Sequence, residues 1–394
     1  MDRIKIFNGN IITPFRIIKN GCIIIEDGKI SLICEKNIYE GDFIEVDAKG
    51  KYISPGFIDI HTHGGGGHDF MDGSIEAFLG AAKKHAQYGT TSIVPTTLTS
   101  TDEQLKITFD TYKKAKQQNI DGAEFLGLHL EGPYFSMEQR GAQDPRFIKA
   151  PVPAEYNEIL NWSDDIIRWS AAPELDGALE FARVLRRKGI LPAIAHSNAI
   201  YEEVLEAYES GYSHITHLYS GMSGVRRINA YRYAGVIESA FLMDGMTVEI
   251  IADGVHLPES LLKLIFKIKG PSRIALVTDS MRAAGMGEGE FILGSLSEGQ
   301  KAIVEDGVAK LPDRTSFAGS VATADRLVRT MINIAGVPLL EAVQMMTITP
   351  ASIIGVDRRK GSLAEGKDAD IIIFDDNINI SATIVKGKIV YQAS

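Results

Sequence analysis

From Gly56 onward the chain repeats one unit, and that repeat limits the folds open to it more than any other feature. Short apolar runs recur at 57–60 (FIDI), 91–96 (TSIVPT), 125–130 (FLGLHL), 167–172 (IRWSAA), 192–196 (PAIAH), 214–218 (HITHL), 248–252 (VEIIA) and 274–278 (IALVT). Amphipathic segments lie between most of them, for instance 74–87, 102–118, 175–188 and 200–209. Strands that alternate with helices lie parallel in one sheet, because each helix carries the chain back before the next strand begins. Eight units of about 31 residues, close to the length of a βα repeat, suggest an α/β chain built on a closed (β/α)8 TIM barrel. An open doubly wound sheet is the competing layout.

The flanks carry a different pattern. Residues 1–54 contain IKIFNGNIIT, GCIIIEDGKISLICE and FIEVDAKGKYIS, with no long segment of helical period. Asp27-Gly28 between two apolar runs is a hairpin signal. Beyond Gly361, DADIIIFD and ATIVKGKIVY are again strand-like. We therefore expect a barrel of residues 55–357 inserted in a small β-sandwich domain built from both termini, 1–54 and 358–394. Helices at 323–335 and 338–346 would close the barrel, and the helix-poor stretch 287–320 reads as a β excursion on the last βα loop.

In a parallel barrel the functional groups gather at the C-terminal ends of the strands. The first strand runs, within PGFIDIHTHGGGG, into His61 and His63. Residues two apart on a strand face the same side, so this pair can hold one ion. Taken alone, His-x-His is equally a buried histidine with a surface neighbour. The other strand ends change the weighing: Glu131 (third), His196 (fifth), His217 (sixth) and Asp279 (eighth). A packing account must supply a partner for every one of these groups, since buried charge is costly. A metal centre accounts for them together.

The donors are nitrogen and oxygen without thiolate, which suits divalent Zn, Fe, Mn or Co. Glu131, His196 and His217 make one three-ligand site with an open position. His61, His63 and Asp279 make a second, with Glu131 as bridge, so one or two ions per chain are expected. A bound metal lowers the pKa of its water towards about 7. Asp279 then stands where a general base would take the water proton and hand it to a leaving amine.

A formal net charge of −10 argues against nucleic acid or an anionic membrane as partner. No apolar run is long enough to span a bilayer, and the start lacks a secretory pattern. Cys22 and Cys34, outside any metal-type cluster, read as reduced core thiols of a cytoplasmic protein.

In chain order, PGFIDIHTHGGGG, HLEGPYFS, AIAHSNA, THLYSGM, IADGVHLP, LVTDSMRAAGM and FAGS resemble the amidohydrolase superfamily and, within it, the N-acetylglucosamine-6-phosphate deacetylase family. The match runs over nearly the whole chain, including GSLAEGKDADIIIFD, and its most specific parts are HLEGPY and the DGVH…TDSM pair. The resemblance implies that Glu131, His196 and His217 hold the catalytic metal and that Asp279 is the acid/base. It implies hydrolysis of the acetamide of a sugar phosphate in amino-sugar catabolism. Some members replace the first His-x-His and keep one metal; this chain retains His61 and His63. Other amidohydrolases bridge two metals with a carboxylated lysine, and RWSAAPEL has none, which weighs against a dihydroorotase-like or hydantoinase-like assignment.

For the substrate, the resemblance places His256 and an arginine after the sixth strand on the phosphate. Within GMSGVRRINAYRYAG, Arg227 is the first choice, followed by Arg226 and Arg232. The arginine would cross the interface of a homodimer. Ala142, Gln143, Ser220, Gly221, Phe317, Ala318 and Gly319 complete the implied substrate-binding set. Two departures stand out: Ser220-Gly221 where many relatives have Asn-Ala, and Gln143 where some have a histidine. The galacto epimer or another N-acyl compound is therefore an alternative substrate. A catalytically silent scaffold on the same fold is the alternative from a different class.

Overall fold

The structure, a computed structural model, describes residues 3–36 and 41–393. Residues 1, 2, 37–40 and 394 of the expected terminal β segments lie outside the described residues. Each apolar run forms a strand: β1 (Phe57–Thr62), β2 (Thr90–Thr97), β3 (Leu128–Glu131), β4 (Ile166–Ala171), β5 (Leu191–Ile194), β6 (His214–Ile215), β7 (Thr247–Ile250) and β8 (Ile274–Leu276). Each pairs in parallel with the next, from β1 to β8. The seam between β8 and β1 closes just past the end of β8. There the Asp279 N–H donates to the His61 carbonyl (2.9 Å) and the His63 N–H to the Ser280 carbonyl (2.9 Å). The result is a nearly closed parallel barrel, not an open doubly wound sheet.

Helices follow the strands: α1 (Ile75–Gln87), α2 (Asp102–Gln118), α3 (Pro153–Trp162), α4 (Ala178–Arg187), α5 (Tyr201–Ser210), α6 (Val236–Leu242), α7 (Glu259–Lys269) and α8 (Ala324–Asn333). The Ser74 and Thr101 hydroxyls accept from the N–H groups of Ala77 and Gln104, which sets the starts of α1 and α2. The helices pack on the strands through one large core that includes Phe78, Tyr112, Trp169, Phe181 and Leu262.

Several strands stop short of their apolar runs. The runs 192–196, 214–218 and 274–278 leave the sheet after Ile194, Ile215 and Leu276. Just beyond, His196, His217 and Asp279 take positive φ angles of 45°, 27° and 46°. A left-handed residue cannot continue a strand and is strained when it carries a side chain. The backbone therefore turns at three of the candidate site residues. The third run is also interrupted, into Glu124–Phe125 and Leu128–Glu131.

The flanks form one mixed sheet of eight strands, in which Ile371–Phe374 pairs antiparallel with Tyr52–Pro55 and so joins the two ends of the chain. The hydrogen bonding runs through all eight strands, and they enclose a core of their own that includes Ile6, Ile23, Ile53, Ile371 and Ile384. The Asp27-Gly28 turn places the free thiols of Cys22 and Cys34 opposite each other on adjacent strands. The β excursion is a three-stranded antiparallel sheet of Gly289–Leu293, Gln300–Glu305 and Val308–Lys310. Among the described residues no helix is long and apolar enough to cross a membrane.

A buried ammonium joins this flanking sheet to the barrel. Lys360, fully buried, sits 2.6 Å from Glu124 Oε2 and 3.3 Å from Asp368 Oδ2, and also pairs with Asp370. The three carboxylates lie close enough to resemble a metal site, but Lys360, Arg359, Lys29 and Lys386 already pair with them. Lys360→Met would leave buried carboxylates facing one another. We expect it to cost about 3–5 kcal/mol of stability, read as a lowered melting temperature and denaturation midpoint. An unchanged melt would refute this account of the junction.

Candidate active site

Glu131, the last residue of β3, stands between two groups of histidines. Its Oε1 lies 3.2 Å from His196 Nε2 and 2.9 Å from His217 Nε2. Its Oε2 lies 3.3 Å from His63 Nε2 and 3.7 Å from His61 Nε2. Asp279 Oδ1 joins the latter pair, at 3.1 Å from His63 Nε2 and 3.4 Å from His61 Nε2. The donor atoms of His61, His63 and Asp279 fall within 4.8 Å of one another, as do those of Glu131, His196 and His217. One carboxylate thus offers one oxygen to each of two adjacent groups.

All six side chains are buried. Burial favours a neutral imidazole, but the carboxylates of Asp279, Glu249 and Glu131 outweigh it and hold His61 well above the ordinary histidine value. His63 is pushed up to about 9 by Asp279 and Glu131, against the same opposition from burial. Burial would raise the carboxyl of Glu131; His61, His196 and His217 reverse this and hold it well below the usual range. Asp279 is likewise lowered, by His61 and His63, despite its burial. Such a cluster concentrates positive charge, and a divalent cation competes with protons for the same lone pairs. His61 Nε2 is buried without a hydrogen-bond partner. That orphaned atom, the hard donor set and the burial all fit a divalent ion.

The far sides of three of the four rings are held, whereas His217 Nδ1 is buried with no hydrogen-bond partner among the described residues. His61 Nδ1 lies 2.6 Å from Glu249 Oε1, His63 Nδ1 3.2 Å from the Thr96 carbonyl, and His196 Nδ1 2.8 Å from the Gln139 carbonyl. These contacts turn each Nε2 toward the ligand groups. Gln143 donates from Nε2 to Glu131 Oε2 (2.9 Å) and accepts from the Thr99 N–H (3.0 Å), so the protein engages both ends of its amide. Two glycines are required by close approach as well as by positive φ. A Cβ on Gly221 (φ 59°) would stand 2.7 Å from His196 Nδ1, and one on Gly319 (φ 65°) 3.0 Å from the Asp279 carbonyl.

A cavity of about 300 Å³ opens over these groups. His63, Glu131, His196, His217 and Asp279 line it, together with Ala142, Gln143, Ser220, Gly221, His256, Phe317 and Gly319. His256 Nδ1 is fixed at 2.8 Å from Asp253 Oδ2, and its ring lies 4.4 Å from that of Phe317. Other candidates lie elsewhere. His61 is fully buried and does not reach the lining, and Ala318 is fully buried with its N–H donated to the Ala309 carbonyl. Arg227 is exposed on an antiparallel hairpin of Arg226–Ile228 with Tyr231–Tyr233, opposite Arg232, and none of the three arginines lines this cavity. The Ser220 N–H donates to the His217 carbonyl (2.9 Å), so it is engaged within its own turn.

Sequence reasoning missed Leu98, Tyr219, Leu293 and Ser316 in the lining, and Asp253 behind His256. It also missed Arg168 and Glu249, both fully buried. A signal was present for these two: each is a lone charge within an apolar strand run, IRWSAA and VEIIA, and such a charge must find a partner.

The amidohydrolase family model matches residues 52–390. N-acetylglucosamine-6-phosphate deacetylase of Bacillus subtilis (strain 168) is 34% identical over 389 residues, 97% of this chain and 95% of that protein. N-acetylgalactosamine-6-phosphate deacetylase of Escherichia coli O157:H7 is 31% identical over 338 residues, 86% of this chain and 87% of that protein. The crystal structure of N-acetylglucosamine-6-phosphate deacetylase from Pasteurella multocida is similar with a TM-score of 0.92 and 30% identity, over 99% of this chain and 100% of that one. By sequence and by fold, then, the chain belongs to the amidohydrolase family, in its N-acetylglucosamine-6-phosphate deacetylase branch.

Proposed function

We propose that this chain hydrolyses the acetamide of N-acetylglucosamine 6-phosphate, yielding glucosamine 6-phosphate and acetate in amino-sugar catabolism. The observation that carries the proposal is Glu131 facing two buried groups of metal-type ligands under a cavity of about 300 Å³. Glu131, His196 and His217 would hold one divalent ion, and His61 and His63, across Glu131, a second. When bound, a divalent ion supplies Lewis acidity and makes water acidic near neutral pH.

Asp279, kept ionised by the facing imidazoles, takes the proton of the attacking water as its oxygen bonds to the acetyl carbon. When the C–N bond breaks, Asp279 passes that proton to the nitrogen, and the amine and acetate leave. His256, oriented by Asp253, offers its remaining ring nitrogen to the cavity for the anionic end of the substrate. Arg227 would reach that phosphate from a neighbouring subunit. Its hairpin also exposes Val225 (60%) and Tyr231 (74%), apolar surface suited to a homodimer contact. In this reading residues 55–357 are the catalytic unit, 1–54 and 358–394 form the supporting β domain, and the enzyme works in the cytoplasm without nucleic-acid or membrane partners.

The test is acetate release from N-acetylglucosamine 6-phosphate beside the unphosphorylated sugar and the galacto 6-phosphate, with protein loaded in turn with Zn²⁺, Fe²⁺ or Mn²⁺. The gluco phosphate is expected to have the highest kcat/KM, Arg227→Ala to raise KM for phosphorylated sugars only, and sedimentation to give a dimer mass. Preference for the galacto phosphate would support the second reading, which the Escherichia coli relative and Ser220-Gly221 favour. Silence on all three sugars with metal bound would defeat the proposal and move the test to a wider panel of N-acyl compounds; substoichiometric metal with no hydrolysis after metal loading would favour a non-catalytic scaffold.

A further inference from the structure

Beneath the ligand groups, the barrel interior holds an ion pair that the reaction above does not use. Glu249 on β7 and Arg168 on β4 are fully buried and meet at 2.6 Å (Oε2 to Nη1). Arg168 also donates to the Ile60 carbonyl of β1 (3.2 Å) and to the Thr216 hydroxyl (2.7 Å). Strands this far apart in the ring meet only through its interior. A buried ion pair is by itself a poor source of stability, because desolvation offsets the attraction. What sets this pair apart is the other carboxylate oxygen. Glu249 Oε1 accepts from His61 Nδ1 (2.6 Å) and from the His217 backbone N–H (3.1 Å), and so touches one residue of each ligand group.

We propose that Glu249 is a positioning residue for the metal centre, an inference that rests on the metal-dependent reading above. Anchored by Arg168, it holds His61 as the tautomer protonated at Nδ1, which leaves the Nε2 lone pair facing Glu131 and Asp279. The same oxygen also accepts from the backbone N–H at the left-handed turn of His217, whereas the His217 ring is not among its partners. An amide cannot replace this carboxylate. Both oxygens face donors, and the guanidinium of Arg168 has no acceptor to offer. In Glu249→Gln the amide oxygen must therefore face Arg168 and the NH₂ must face His61. His61 can accept that bond only by moving its proton to Nε2, where it blocks a cation.

The experiment compares wild type and Glu249→Gln after loading with Co²⁺ and removal of free metal, with ions per chain counted by elemental analysis. Two ions are expected for wild type and one for the variant, whose second ion should bind about 10–100-fold more weakly. A merely structural role would lower the melting temperature without changing the ion count. Should the variant not fold, ¹⁵N-histidine NMR of the metal-loaded wild type gives an independent reading, with the proton expected on His61 Nδ1. Two ions at wild-type affinity in the variant, a wild type that loads a single ion, or a proton on His61 Nε2 would each overturn the proposal. A wild type that loads two ions but releases no acetate would defeat only the assigned reaction. One that loads none would defeat the metal reading and this inference together.

Discussion

Asp279→Asn should lower kcat for acetate release by about 10²- to 10⁴-fold, the range that a positioned general base contributes. The substitution isolates chemistry from shape. Asparagine has nearly the same volume and is among the few residues that tolerate the left-handed backbone found here, at φ 46°. The backbone bonds at this position, from its N–H to the His61 carbonyl and from the Ser320 N–H to its own carbonyl (2.8 Å), are unaffected by the change. What is lost is the capacity to take a proton and the negative charge facing His61 and His63. The ion held by Glu131, His196 and His217 should therefore remain, together with substrate binding and the melting temperature. The measurement is kcat and KM alongside metal content. Near-normal turnover would remove Asp279 from the proton-transfer role.

Glu131→Gln should be more damaging still, because one carboxylate serves both ligand groups. The amide can present its oxygen to one side only. Its NH₂ must then face either His196 and His217, or His63 together with the Gln143 amide that already donates to Glu131 Oε2. Losing an outer-shell partner costs about 10–100-fold in metal affinity; losing a direct, shared ligand should exceed this for both ions and abolish activity. Metal analysis and acetate release check it together, and a variant that retains both ions would exclude Glu131 as the shared ligand. The metal-free wild type should show a related pH effect. His63 rises from 6.5 to about 9 on folding. Its contribution to stability is therefore complete below pH 6.5 and is lost as pH rises through about 9. Melting the metal-free protein across that window tests the sign, and Glu131→Gln, lacking one of the two carboxylates that raise this pKa, should flatten the slope.

The barrel was legible because a strand or a helix declares itself in a dozen neighbouring residues. Apolar runs such as TSIVPT and amphipathic segments such as 102–118 need no distant information, and α2 spans that segment. The joining of the flanks was legible for the same reason, whereas their arrangement as one sheet was not, since it depends on which strands pair. The strand ends were legible as a set of imidazoles and carboxylates, because a parallel barrel brings all such ends to one rim. Their division into two groups around Glu131 was legible too, from the order of the strands that carry them. The left-handed turn at His196, His217 and Asp279 was not, because the apolar runs continue past the last strand residue.

Sequence alone therefore determined the repeat, the rim and the chemical character of the residues on it. Only the tertiary structure decided which atoms meet. His61 and Glu249 are 188 residues apart and lie 2.6 Å apart in the barrel, and no local pattern connects them. Gln143 lines the cavity, and only the closed structure brings its amide against Glu131 and the Thr99 N–H as well. That Arg226, Arg227 and Arg232 sit on one antiparallel hairpin outside the lining of the cavity was equally beyond any local pattern. The physical reason is the same throughout. Periodicity reports the face that a residue presents to its own element, whereas hydrogen bonds, ion pairs and metal ligation depend on separations across the barrel that only the closed ring establishes.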